Sequence, residues 1–169
     1  MSQPKIKVLI VDDSAVVRKI FSEELSKESD IEVIGTAPDP FVAREKIVLT
    51  KPDVVTLDVE MPRMDGITFL AKLMKYYPLP VIVVSSLPPQ GSKVALDALE
   101  NGAVEVLGKP DSSYSVGDIC SQLIEKIRIA AKANLNHVRA TPSPPSSSVG
   151  TPLRSLRETT LKVIAIGAS

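Results

Sequence analysis

The chain has 169 residues, 44% of them hydrophobic and 24% charged, and its 20 basic and 20 acidic residues cancel to a formal net charge of zero. That balance excludes a wholly disordered chain and removes the basic excess that drives counterion release from nucleic acid, so no nucleic-acid partner is expected. No apolar stretch approaches the roughly 20 residues needed to span a bilayer, the start Met1-Ser2-Gln3-Pro4-Lys5 lacks a secretory pattern, and the single Cys120 cannot form an internal disulfide; a cytoplasmic protein without membrane insertion is expected.

Short runs rich in Val and Ile alternate with segments whose apolar residues recur three and four apart, the pattern of βαβ units around a parallel sheet. The first strand is expected at 6–11 and runs into Asp12-Asp13; the first helix follows, with Ser14 near its cap and Val17, Ile20, Phe21 and Leu25 on its buried side. A second strand at 31–36 leads to Pro38-Asp39-Pro40, where Asp39 can cap a helix and proline suits its first turn. The third strand, 54–57, runs into Asp58, the fourth, 81–84, into Ser85, and the fifth, 103–107, leads to Lys109-Pro110. A last helix is expected from about 116 to 133, in which Cys120 shares a face with Leu123, Ile124 and Ile127 and so reads as buried rather than reactive. The lone His137 carries no evident role. Five strands alternating with five helices make an α/β, doubly wound domain.

After about Asn136 the composition changes to Thr141-Pro142-Ser143-Pro144-Pro145-Ser146-Ser147-Ser148, which has almost nothing to bury. The expected organisation is therefore a domain over 1–136, a flexible linker over 137–160, and at 161–169 an apolar strand ending in Ile166-Gly167-Ala168-Ser169. An isolated strand is not stable, so this last segment reads as the opening strand of a further domain.

In a parallel sheet, ligands collect outside the carboxyl ends of the strands, and that crevice here would gather three carboxylates, a hydroxyl and an ammonium. A carboxylate can accept a phosphoryl group as an acyl phosphate, but attack on an anionic donor requires charge neutralisation. Mg²⁺ suits that task, with Asp12, Asp13 and Asp58 as carboxylate ligands and the Glu60 carbonyl, in the turn after Asp58, as a further oxygen. Asp58 is the candidate acceptor; Ser85 and Lys109 would sense the phosphoryl oxygens, one by a hydroxyl and the other by a point charge. Taken singly, an acid pair before a helix is most often a cap, and a strand-end serine or lysine is ordinary; the constellation carries the argument.

These residues resemble the receiver domains of two-component response regulators, whose acid pair, acceptor Asp, Ser/Thr and Lys-Pro match Asp12-Asp13, Asp58, Ser85 and Lys109-Pro110 over about residues 5 to 134. The resemblance implies a flavodoxin-like (βα)5 fold of strand order 2-1-3-4-5, Mg²⁺ at Asp13, Asp58 and the Glu60 carbonyl with Asp12 assisting, phosphorylation of Asp58 by a histidine kinase, and a cis Lys109-Pro110 bond. Receivers often carry Tyr or Phe three residues before the lysine; here Val106 stands there. The segments Val11-Asp12-Asp13-Ser14, Leu57-Asp58-Val59-Glu60-Met61-Pro62-Arg63-Met64-Asp65-Gly66 and Val84-Ser85-Ser86-Leu87 are further similar to the chemotaxis protein-glutamate methylesterases. That likeness implies Ser169 as the catalytic nucleophile of a Ser-His-Asp triad acting on methylated chemoreceptors. It also implies deamidation of their glutamines and a contact with the catalytic domain through the helix 4, strand 5, helix 5 face. The His and Asp partners of Ser169 are absent from these residues, so no esterase activity is expected of them alone. Two other classes compete: a receiver acting only as a phosphorylation-controlled binding module, and a Mg²⁺-dependent aspartyl phosphatase. The phosphatase would want a second Asp where Glu60 stands.

Overall fold

The apolar runs pair into one parallel sheet of β1 (Ile6–Val11), β2 (Ile31–Ala37), β3 (Val54–Asp58), β4 (Val81–Ser85) and β5 (Glu105–Gly108), in a computed structural model that describes residues 3–86, 92–109 and 116–139. The strand order is β2-β1-β3-β4-β5, the doubly wound, flavodoxin-like order expected. Between and after the strands run α1 (Ala15–Ser26), α2 (Pro40–Thr50), α3 (Gly66–Tyr76), α4 (Lys93–Glu100) and α5 (Val116–Arg139).

Every residue of β3 and β4 is buried because helices cover both faces of the sheet, which is why these strands read as continuous apolar runs rather than as alternating ones. Odd-numbered Leu9, Val11, Val55, Leu57, Val81 and Val83 pack against α2, α3 and α4. Val8, Ile10, Val54, Ile82 and Val84 point the other way, onto Phe21 and Leu25 of α1 and Leu123 and Ile127 of α5. Cys120 belongs to this second layer, and burial pushes its thiol pKa up, as suits an inert packing residue.

Local signals place the helix starts. Ser14 Oγ accepts from the Val17 N–H at 3.4 Å, and Asp39 Oδ1 accepts from Phe41 and Val42 at 2.8 and 3.0 Å with Pro40 in the first turn. Strands β2, β3 and β4 each run one residue past the expected end, and β5 and α5 differ by more. β5 spans Glu105–Gly108 instead of 103–107, because Gly102 turns the chain at φ 102° and the Ala103 N–H still bonds the Ala98 carbonyl of α4 at 3.0 Å. α5 continues to Arg139, past the end expected at 133. The strand at 161–169 with Ser169, residue Leu87 and the bond into Pro110 lie outside the described residues. Among the described residues no helix is long and apolar enough to cross a membrane.

Candidate functional site

The strand ends bring together the residues that the sequence scatters. Asp58 is the last residue of β3 and Ser85 the last of β4, while Asp12 directly follows β1 and Lys109 directly follows β5. Register enforces this: Val11 pairs with Leu57, Asp58 with Val84, and Ser85 with Gly108. Asp12, Asp58 and Ser85 are each at most 2% exposed, whereas Asp13 is exposed.

One carboxylate oxygen from each of Asp12, Asp13 and Asp58 lies within 4.8 Å of the others. Lys109 Nζ sits between two of them, 2.8 Å from Asp12 Oδ2 and 3.1 Å from Asp58 Oδ2. Asp58 Oδ1 accepts the Glu60 N–H at 3.1 Å. Its Oδ2 is buried and, although paired in charge with Lys109, has no aligned hydrogen-bond donor among the described residues. Desolvation, and then the neighbouring Asp12 charge, push the Asp58 pKa up to about 6 against the pull of Lys109 and the Glu60 N–H. For Lys109 burial works against the ammonium, but the hydrogen bonds and charges of Asp12 and Asp58 outweigh it, and the net shift is upward. Three carboxylates facing one lysine leave the cluster short of positive charge. That deficit, and an Asp58 Oδ2 whose only close partner among the described residues is the ammonium it shares with Asp12, fit an oxygen-seeking divalent cation.

Glu60 stands two residues beyond Asp58 in a loop closed by Gly66 N–H to the Val59 carbonyl at 2.9 Å and by Arg63 at a left-handed φ of 71°. Val106, in the position where receivers often carry an aromatic, is half-buried against the α2, α3 and α4 layer.

Two features escaped the sequence reading. Lys109 pairs directly with the acid cluster itself. Arg18, on α1, donates from Nη1 to the carbonyls of Asp12 at 2.7 Å and Asp13 at 3.0 Å. Its signal was a cation early in a helix, where the macrodipole disfavours one.

Residues 8–116 match the response regulator receiver domain family. The protein-glutamate methylesterase/protein-glutamine glutaminase 2 of Syntrophus aciditrophicus is 64% identical over 168 residues, which are 98% of this chain and 48% of that protein. The chain thus spans about half the length of the curated relatives it matches. Among solved structures, the response regulator domain of Thermotoga maritima CheB aligns with a TM-score of 0.72 and 42% identity, covering 76% of this chain and 97% of that one. A chain of the CheX-CheY-BeF3-Mg+2 complex from Borrelia burgdorferi aligns with a TM-score of 0.62 and 31% identity, over 72% of this chain and 89% of that one.

Proposed function

The chain belongs to the response regulator receiver family and resembles the receiver domain of CheB, and on that premise we propose that Asp58 accepts a phosphoryl group and thereby controls a chemotaxis methylesterase. The observation that carries this reading is the state of Asp58, a buried strand-end carboxylate that shares the Lys109 ammonium with Asp12 and lies within ligand distance of Asp12 and Asp13.

In this reading an Asp58 carboxylate oxygen bonds phosphorus as the donor's leaving group departs, and the resulting acyl phosphate replaces one negative charge with a larger one. Asp12, Asp13 and Asp58, with the Glu60 carbonyl, would hold Mg²⁺, which when bound supplies the positive charge that lets an anionic donor approach. Lys109 moves its ammonium from the carboxylates towards the new phosphoryl oxygens, and the Ser85 hydroxyl donates to one of them. Because Lys109 follows β5 directly, its shift passes to the face formed by α4, β5 and α5. There the receiver would meet its own catalytic domain. Half-buried Val106 offers no phenol or ring to swing outward, so the coupling would travel through the backbone of β5 and the position of α4.

The whole protein would be about twice this length and would hydrolyse glutamate methyl esters, and deamidate glutamines, on chemoreceptors, with Ser169 as nucleophile after a linker that, since α5 runs to Arg139, would begin at 140 rather than 137 and extend to 160. A chemotaxis histidine kinase would supply the phosphoryl group, and the site of action would be cytoplasmic. The relatives that match nearly the whole chain are protein-glutamate methylesterases/protein-glutamine glutaminases, which favours this reading over a free-standing binding module.

Incubation with acetyl phosphate and Mg²⁺, followed by peptide mapping by mass spectrometry, tests the acceptor. One phosphoryl group on the peptide containing Asp58, lost in Asp58→Asn, is the expected result. Full labelling of the Asn variant would sink the assignment.

A further inference from the structure

We propose that Arg18 is a positioning residue for the acid pair, holding the Asp12-Asp13 backbone in the geometry that the divalent cation requires. The proposal rests on the reading of Asp12, Asp13 and Asp58 as the cation's ligands.

Every other polar group of Asp12 already has a partner. Its N–H donates to the Ala37 carbonyl at 3.0 Å, Oδ1 accepts the Ser14 N–H at 2.9 Å, and Oδ2 faces Lys109 at 2.8 Å. The carbonyl remains, at the point where the chain leaves the sheet and the ladder can no longer satisfy it. Arg18 takes it at 2.7 Å and, from the same nitrogen, takes the Asp13 carbonyl at 3.0 Å. Two consecutive peptide planes are thereby fixed to the second turn of α1. Asp13 is exposed, so packing does little to direct its side chain and the direction depends on its backbone. Groups one step behind a ligand that hold its orientation commonly change metal affinity by about 10-fold or more when removed.

Charge and position predict opposite signs, which makes the idea testable. A guanidinium near a cation site repels the cation, so if Arg18 acted through charge alone its removal would tighten binding. If it acts by holding the backbone, removal weakens binding despite the lost repulsion. The experiment is titration of the full chain with MgCl₂ by isothermal calorimetry, comparing wild type with Arg18→Met, which keeps the aliphatic stem and loses the donors. An affinity about 10-fold weaker is expected, together with acetyl phosphate labelling that recovers as MgCl₂ is raised. Unchanged or tighter binding overturns the proposal while leaving the cation site standing. No isotherm with wild type would refute the site itself and this proposal with it. Should the Met variant unfold, Arg18→Lys serves instead: its ammonium ends one bond short of the guanidinium nitrogen, and binding equal to wild type would again count against positioning.

Discussion

Asp58 is held ionised at a cost, and the sign of that cost sets a measurable pH dependence. Its folded pKa of about 6 stands above the ordinary 3.8, so the folded state takes up a proton that the unfolded chain does not hold between those values. The carboxylate therefore destabilises the metal-free fold above pH 6, and the penalty fades as pH falls towards 4. Two pKa units correspond to roughly 3 kcal/mol. Asp58→Asn, which keeps an oxygen for the Glu60 N–H, should raise the unfolding free energy from urea titration at about pH 8 by an amount of that order, and with it the midpoint, and change little near pH 4. Adding Mg²⁺ should stabilise the wild type and leave the Asn variant where it was. Equal midpoints for the two proteins at the higher pH would mean that Asp58 is not electrostatically strained. At this scale the site was legible wherever a polar residue ended an apolar run, as Asp12, Asp58 and Ser85 do. Arg18 was not legible, because a cation on a helix reads as solvated until its two carbonyl partners are known.

The turn from β3 into α3 shows how an element constrains Asp58 through backbone alone. Gly66 opens α3 with its Cα against the end of β3; a Cβ there would drive into the Asp58 carbonyl oxygen and stand 2.8 Å from Val59 Cα. Neither atom can rotate away as a side-chain tip would, so relief must come from moving the segment that carries Asp58. Gly66→Ala is expected to destabilise the domain by about 1–3 kcal/mol and to slow Asp58 labelling, read by urea unfolding and by acetyl phosphate uptake. An Ala variant as stable and as fast as wild type would show that the loop yields freely. The sequence marks this turn by Pro62 and Gly66 but cannot give the contact, which depends on how α3 leans on β3. Helix starts were easier to read, since Ser14 and Asp39 carry their capping chemistry locally. The late start of β5 follows from a tertiary detail, the bond of the Ala103 N–H back to α4, that no apolar run records. The extension of α5 past 133 was missed because Asn134, Asn136 and His137 interrupt the apolar spacing in the sequence.

Taken as a whole, the molecule closes both core layers within residues 8 to 131, one on each face of the sheet. Arg128, midway along α5, adds a clasp, bonding Asp30 at 2.8 Å and Glu28 at 2.6 Å and so tying the last helix to the turn before β2. Among the described residues both layers are complete in themselves, and the Pro- and Ser-rich stretch after Arg139 has few apolar groups in its sequence. A chain ended after Arg139 should therefore unfold at the same urea midpoint as the 169-residue chain and accept a phosphoryl group on Asp58 at the same rate. A lower midpoint would mean that the tail packs on the receiver. That outcome bears on regulation, because an independent receiver can influence a tethered catalytic domain only through a reversible contact whose strength phosphorylation changes. In the proposed whole protein a linker of some twenty residues would hold the two parts at high effective concentration, so a weak face would suffice to keep them together. A shift of only a kcal/mol or two at the α4, β5 and α5 surface would then change the bound fraction several-fold.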